Sequence, residues 1–161
     1  MLRRCPVTGG TKDVTPDPKG PGNRSENMAL KLTLKPGEKF VINGAVIANG
    51  DRRTTLVLHN KASILRERDI LKSDEVDTPA KRIYFAIMSM YLDEKVRPRF
   101  YEEFVRRMSE FMGVVSDADA LATCVSISQC VMERQYYKGL TQCRQLLDFE
   151  KERLNYEPAG V

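Results

Sequence analysis

The sequence predicts an α+β protein in which a small antiparallel β-module precedes a helical region of three to four helices. Strand-forming residues punctuated by turn dipeptides fill residues 28–72. The apolar pattern then changes from a period of two to the helical period across residues 73–155. Residues 1–27 contain four Pro and four Gly but few large apolar side chains, which is typical of a disordered tail. Residues 156–161 are expected to fray.

The N-terminal segment, residues 1–27, cannot bury enough apolar surface to offset the entropy that is lost on ordering. Two explanations of this tail stay open: a functional extension, or a start codon that has been assigned too far upstream. The strand pattern begins immediately at Met28, which favours a misassigned start. A native peptide from before Met28 would exclude that explanation.

The β-module is predicted to be a meander of short antiparallel strands. In the first strand, Leu30, Leu32 and Leu34 alternate with polar residues, as expected for one wet and one apolar face. Pro36-Gly37 suits the centre of a type II turn, and Asn43-Gly44 is a strong two-residue hairpin signal. Further strands are predicted at residues 40–42, 45–47, 54–58 and 63–65. A module of about 45 residues needs support from the helical region or from a partner chain.

The helical region begins at Thr78, which is followed by proline and is therefore predicted to be an N-cap. A second helix is expected to open at Arg99, and a third after a capping box formed by Ser116 and Asp119. Gly139 is expected to kink or break the third helix. Stripes of Phe and Met at helical spacing are interpreted as core rather than as a binding groove.

The charges are distributed unevenly along the chain. Residues 1–27 have a net charge of +2, residues 28–72 a net charge of +5, and residues 73–161 a net charge of −3. Such asymmetry favours a polyanion-binding part joined to a second part with another role. From charge alone, a solvated surface on a small sheet remains an alternative.

The sequence contains no pattern typical of an enzyme or a metal site, so no catalytic residue, cofactor or metal is predicted. Nucleotide-binding glycine motifs are absent, and the single histidine, His59, has no triad partners in its neighbourhood. The cysteines form no C-x-x-C pair; Cys124, Cys130 and Cys143 are expected in the core. Because no long apolar run or secretory signal is present, a cytoplasmic protein without membrane contact is predicted.

The excess positive charge of the β-module predicts a nucleic-acid interface. Cations at strand edges and turns can contact phosphates, while Arg planes can stack on unpaired bases. Since no recognition helix is evident, single-stranded or loop RNA is favoured over duplex DNA. The candidate RNA-binding residues are Lys31, Lys35, Arg52, Arg53, Arg66 and Arg68.

Three stretches of the chain carry a family resemblance: MALKLTLKPGEKFVINGAVIANGDRRTTLVLHNKASILRERDIL, TPAKRIYFAIMSMYLDE and YYKGLTQCRQLLDFE. With them, the span from Met28 to about Asp148 resembles the FlbT family of flagellar post-transcriptional regulators. The resemblance implies a repressor of flagellin synthesis that binds the 5′ untranslated region of flagellin mRNA and promotes its degradation or blocks its translation. It also implies a functional pairing with FlaF-family proteins.

The first strand is similar, more distantly, to that of the carbon storage regulator CsrA family, which reads L-T-R-K-x-G-E. Residues 32–38 match this pattern except at Leu34, where the RNA-contacting Arg of that family is absent. Arg66 and Arg68 are the two candidates for a later Arg of the family. The resemblance implies a CsrA-like homodimer through the β-module, with RNA contact at Arg66, Arg68 and the Arg52-Arg53 turn rather than at the first strand.

A second class of function stays open at this point. The helical region, which is acidic and rich in Phe and Met, would then be a protein-interaction adaptor or a chaperone-like factor of flagellar assembly. It would bind a FlaF-family protein or flagellin, and its effect on mRNA would be indirect.

Overall fold

The computed structural model describes residues 29–155. Five antiparallel strands in two small sheets precede four α-helices, which confirms the predicted α+β class and the order of its parts. The predictions for residues 1–27 and 156–161 lie outside the described residues.

The strands form a two-stranded ribbon and a three-stranded sheet. They are β1 (Leu30–Leu34), β2 (Lys39–Ile42), β3 (Ala45–Ala48), β4 (Thr54–Leu58) and β5 (Ile64–Arg66). The ribbon pairs β1 with β4, and the sheet has the order β3-β2-β5. The predicted meander is therefore wrong, because within the described residues β2 and β3 are the one pair of consecutive strands that are hydrogen-bonded neighbours.

The departure from a meander is explained by hydrogen bonds between the turn before β2 and the residues that follow β3. The Gly37 N–H donates to the Gly50 carbonyl at 3.0 Å, and the Asn49 N–H donates to the Glu38 carbonyl at 2.9 Å. These bonds join the start of the β2–β3 hairpin to its end, so that the hairpin closes on itself. Because β2 pairs with β3, β1 pairs instead with β4, the strand that follows the hairpin.

Both predicted turns are confirmed by their backbone geometry. At the first turn Gly37 has φ +68°, and the Glu38 N–H donates to the Lys35 carbonyl at 3.1 Å, as in a type II turn. At the hairpin, Asn43 and Gly44 have φ values of 48° and 83°, as a type I′ turn requires.

The helical region consists of four packed helices. They are α1 (Pro79–Leu92), α2 (Arg97–Val114), α3 (Ala118–Met132) and α4 (Tyr136–Leu154). Helix α1 packs against α2 and α4, and α3 packs against α4. Across residues 29–155, no helix combines the length and the apolar character that a membrane crossing requires.

Helix α1 starts at the predicted Thr78-Pro79 step, but its cap comes from another helix. The Glu150 carboxylate of α4 accepts a hydrogen bond from the Ala80 N–H at 3.0 Å and another from the Thr78 hydroxyl. Helix α2 begins at Arg97 rather than Arg99, since a proline in the first turn needs no N–H partner.

Two predictions about α3 and α4 are wrong. The cap of α3 is Asp117 rather than Ser116, because the Asp117 carboxylate accepts from the Ala120 N–H at 2.9 Å. The break between the helices lies at Arg134, which has φ +58°, and not at Gly139. Gly139 instead lies buried inside α4, near Ile87 of α1.

The hydrophobic core lies mainly between the helices. Its fully buried side chains include Ile83, Ile87 and Met90 of α1, and the predicted Phe and Met stripes mostly join it. The cysteines Cys124, Cys130 and Cys143 are buried, as predicted. From the strands, four apolar residues are buried: Leu34, Phe40, Val41 and Leu65. Of these, Leu65 belongs to the helical core cluster and anchors β5 there.

Candidate nucleic-acid interface

One face of the β1–β4 ribbon carries three of the predicted cations. The register places Lys31 opposite Val57 and Thr33 opposite Thr55, and it ends at the Leu34–Thr54 pair. Lys35 and Arg53 are the residues just beyond this last pair, and the strand period of two assigns them to the side of Lys31. This ribbon face, formed by residues 31, 33, 35, 53, 55 and 57, is exposed throughout and contains no carboxylate in either strand.

The Asn49 side chain brings the two basic turns together at one end of the ribbon. Its amide nitrogen donates to the Lys35 carbonyl at 2.7 Å and to the Arg52 carbonyl at 2.8 Å. Lys35, Arg52 and Arg53 therefore share one corner of the β-module, and all three are exposed. Sequence reasoning selected these cations but missed Asn49, whose hydrogen bonds position their backbones.

Arg66 is held differently, because its guanidinium is already paired. Its Nη1 donates to the Glu38 carboxylate at 2.8 Å, and its Nη2 lies 3.4 Å from the Thr33 carbonyl. The Lys35 N–H also donates to Glu38, at 2.8 Å. This backbone hydrogen bond, together with Arg66, lowers the pKa of Glu38. Arg66 thus ties β5 to the first turn, and Glu38 offsets part of its charge.

Arg68 lies apart from the corner, at the boundary between the β-module and the helices. Its side chain is 79% exposed, and its nearest carboxylate is Asp69 at 3.8 Å. Asp69 in turn pairs with Arg144 of α4 at 2.8 Å. The six predicted residues therefore do not form one patch. Lys31, Lys35, Arg52 and Arg53 lie on the ribbon face and its corner. Arg66 stabilises that corner through Glu38, and Arg68 lies at the boundary with the helices.

The β-module is fastened to the helices by two tyrosines. The Tyr91 hydroxyl accepts from the Ile64 N–H at 2.9 Å, and the Tyr84 hydroxyl donates to the Asp69 carbonyl at 2.7 Å. Burial raises the pKa of both phenols, so they stay protonated at neutral pH. A cleft opens beside Tyr91, and we call it the seam; it is lined by the loop around Lys61, by Tyr91 and by the α3–α4 turn.

Sequence reasoning missed the seam. The signal that could have revealed it is the run Arg134-Gln-Tyr-Tyr-Lys138, in which cations flank aromatic residues. A helix that continues to the predicted break at Gly139 includes this run, and its side chains would then point in different directions around the helix. The break at Arg134 instead places them on one wall of the seam.

The described residues offer no metal site, since no group of three or more His, Cys, Asp or Glu side chains within 29–155 is placed to hold an ion. Burial raises the pKa of the Cys124 and Cys143 thiols, so both remain protonated and weakly nucleophilic. What the geometry offers is charge, hydrogen-bonding backbone and aromatic rings, which suit recognition of a polyanion.

Comparisons with known proteins give one consistent result. The family model for flagellar protein FlbT matches residues 30–154. The flagellum biosynthesis repressor protein FlbT of Caulobacter vibrioides is 58% identical over 134 residues, which cover 83% of this chain and 95% of that protein. A probable FlbT from Caulobacter sp. is 59% identical over 129 residues, covering 80% of this chain and 98% of that protein. A probable FlbT from Rhodopseudomonas palustris is 35% identical over 128 residues, covering 80% and 99% respectively. No solved structure matches the chain significantly, so the CsrA-like character of the β-module stays a prediction.

Proposed function

Because the chain belongs to the FlbT family of flagellar proteins, we propose that it is a post-transcriptional repressor of flagellin synthesis. The Caulobacter vibrioides relative bears the name flagellum biosynthesis repressor, which supports the repressor role. The chain binds the 5′ untranslated region of flagellin mRNA, in the cytoplasm, and lowers its translation or promotes its degradation. It acts by binding alone, either by covering the ribosome-binding region or by exposing the transcript to nucleases.

Direct RNA binding is supported by the exposed cations of the ribbon face and its corner. Lys31, Lys35, Arg52 and Arg53 are all exposed on this surface. Lys31 and Lys35 lie four residues apart, roughly 13 Å along the strand, so they can contact different phosphates of an extended backbone. The nearby Asp51 is also exposed, in the same bend as Arg52. The cations outnumber it, and the surface attracts a polyanion over a range set by salt.

The direct test is binding of the full chain to a fluorescent flagellin leader RNA, followed by anisotropy with and without a FlaF-family protein. The proposal predicts saturable binding by the chain alone that weakens steeply as salt rises. A scrambled RNA of equal length measures the non-specific part. Absence of binding under both conditions would contradict the proposal.

A second candidate function, that of an adaptor for a FlaF-family protein or for flagellin, is favoured by an apolar groove on the helices. The groove measures about 560 Å³ and is lined by Met112, Val125 and Met132. Val125 is 58% exposed and Met132 is 65% exposed. A Met132→Lys variant that loses a FlaF-family partner but keeps leader binding would assign this groove to the adaptor role.

We also propose that the β-module forms a homodimer through β3, which is an edge strand. All four residues of β3 are exposed, and Val46 is 73% exposed. An apolar edge with unpaired backbone groups is a template for pairing with a second strand. Val46→Lys should leave a monomer in sedimentation velocity, while an unchanged dimer would exclude this edge.

A further inference from the structure

The seam is a cleft of about 780 Å³ between the β-module and the helices. Four cations line it: Lys61 from the loop before β5, Arg97 at the start of α2, Arg134 from the α3–α4 turn, and Lys138 from the first turn of α4. Tyr91 and Tyr137 line it as well. These residues come from segments far apart in sequence, and the tertiary fold brings them to one place.

The positive charge of the seam is not neutralised by the protein. Within residues 29–155, Lys61, Arg134 and Lys138 form no ion pair. Among the described residues, Glu94 is the one carboxylate that lines the cleft, and it is paired with Arg97 at 2.9 Å. Three cations thus remain available to an anion that enters from solvent.

Arg134 occupies a backbone position that normally belongs to glycine. Its φ is +58°, its N–H donates to the Val131 carbonyl at 3.0 Å, and the Gln135 N–H donates to the Cys130 carbonyl at 2.8 Å. This is the helix ending in which Gly, or sometimes Asn, is preferred. Arg134 thus adopts a backbone conformation that is unfavourable for its side chain, and such strain is often found at functional sites.

Three tyrosines line the seam, and two of them, Tyr91 and Tyr137, pack ring against ring. Tyr91 is fixed by its bond to the Ile64 N–H, and the Tyr137 ring lies against it with centroids 5.8 Å apart. Tyr137 is 52% exposed, which leaves part of its ring to solvent. An exposed aromatic ring beside unpaired cations is the arrangement that binds unpaired bases and their phosphates. The first turn of α4 adds N–H groups that no side chain caps.

We infer that the seam is a second RNA subsite, which takes a short single-stranded segment. One base stacks on Tyr137, and the flanking phosphates contact Lys61, Arg134 and Lys138. The inference rests on the proposed function, because it extends the same RNA from the β-module towards the helices. A neighbouring groove shares Tyr91 and Tyr137 with the seam, and it is also lined by Arg66, Arg68 and Asp69. Arg68, which lies apart from the ribbon face, is therefore close to the proposed subsite.

The charge test uses the full chain and a fluorescent uridine octamer, which has no secondary structure. In the double variant Arg134→Asn/Lys138→Gln, Asn tolerates the positive φ, so folding is retained. The slope of log K against log salt should fall by about 1.4, or about 0.7 for each lost phosphate contact. Arg82→Gln/Lys151→Gln removes the same charge from exposed helix positions outside the seam, and it should leave the slope close to that of the wild type.

The stacking test compares two changes at Tyr137. Tyr137→Leu should weaken octamer binding roughly five- to a hundredfold, whereas Tyr137→Phe, which keeps the ring, should stay within about twofold. Equal affinities for wild type and both Tyr137 variants would overturn the inference, as would an unchanged salt slope in the double variant. An oligoglutamate peptide that binds as tightly as the octamer, with Tyr137→Leu having no effect on either, would assign the seam to acidic protein segments instead.

The octamer separates this inference from the proposed function. If the chain binds the octamer through the seam but shows no preference for the flagellin leader, the result supports the subsite and contradicts the flagellin-specific role. If the chain binds the leader, and the charge and Tyr137 variants bind both RNAs with the same affinity and salt dependence as the wild type, the result supports the proposed function and contradicts the subsite.

Discussion

The β-module and the helical region differ in where their apolar side chains lie. Helix α1 alone buries seven of its 14 residues, whereas strand β3 buries none. The helices therefore supply most of the apolar burial that stabilises the fold. The β-module gains order from turns, from the Asn49 bonds and from its hydrogen bonds to Tyr84 and Tyr91, and its charged surfaces stay open to a ligand. The comparison indicates that most of the apolar burial lies in the helices, whereas the β-module keeps Lys31, Lys35, Arg52 and Arg53 exposed.

The largest expected effect comes from truncating the centre of α1. Ile87 is fully buried, so Ile87→Ala should lower the free energy of unfolding by about 2–5 kcal/mol. The matched truncation Val57→Ala, on the exposed ribbon face of the β-module, should change it by less than about 0.5 kcal/mol. Urea denaturation of both variants measures the difference. Equal losses would mean that the two halves contribute similarly to stability.

The attachment between the halves is tested by Tyr91→Phe. Removing the hydroxyl leaves the Ile64 N–H without its partner, which should cost about 1–3 kcal/mol. Hydrogen exchange should accelerate at Ile64 and its strand neighbours, while amides of α3 keep their protection. If exchange in β5 is unaffected, the β-module does not depend on this bond.

A stabilising change is expected at Gly139, inside α4. A Cβ there would lie 3.7 Å from Ile87 and from Cys130 side-chain atoms, which is ordinary contact. Gly139→Ala should therefore raise the free energy of unfolding by up to about 1 kcal/mol, because alanine restricts the unfolded chain and favours helix. Thermal unfolding measures this. A loss of stability would show that the approach of α1 to α4 tolerates no methyl group.

The smallest effect concerns pH at the corner of the β-module. The Lys35 N–H and Arg66 lower the pKa of Glu38 below its ordinary value of 4.5. The ionised carboxylate therefore stabilises the folded corner above that ordinary value, and this contribution disappears as pH falls through the lower folded pKa. The Lys35 amide chemical shift should report the transition by NMR. Glu38→Gln should abolish it, whereas a persisting transition would implicate another carboxylate.

Local signals predicted much of this fold, and long-range contacts account for what they missed. The alternation from Leu30 to Leu34, the Asn43-Gly44 turn and the Thr78-Pro79 helix start each depend on neighbouring residues. The pairing of β1 with β4 depends on bonds between residues 37–38 and 49–50, which no local pattern encodes. The helix break fell at Arg134 because backbone hydrogen bonds closed α3 there without a glycine.

The candidate site was predictable to a similar extent. A period of two places Lys31 and Lys35 on one face, and composition alone selects the Arg52-Arg53 turn. The neutralising contact of Arg66 with Glu38 joins residues 28 positions apart, and sequence reasoning could not assign it. The seam could not be predicted from sequence patterns, because Lys61, Arg134 and Tyr91 come together only in the tertiary structure.

The central claim is that the ribbon face of the β-module binds flagellin leader RNA directly. It is tested most directly by the salt dependence of leader binding to the triple variant Lys31→Gln/Lys35→Gln/Arg53→Gln. A helical control, Arg82→Gln/Arg99→Gln/Lys151→Gln, removes the same charge from exposed positions. The account predicts that the slope of log K against log salt falls by about 2 in the ribbon variant and stays near that of the wild type in the control. Equal slopes in the two variants would contradict it.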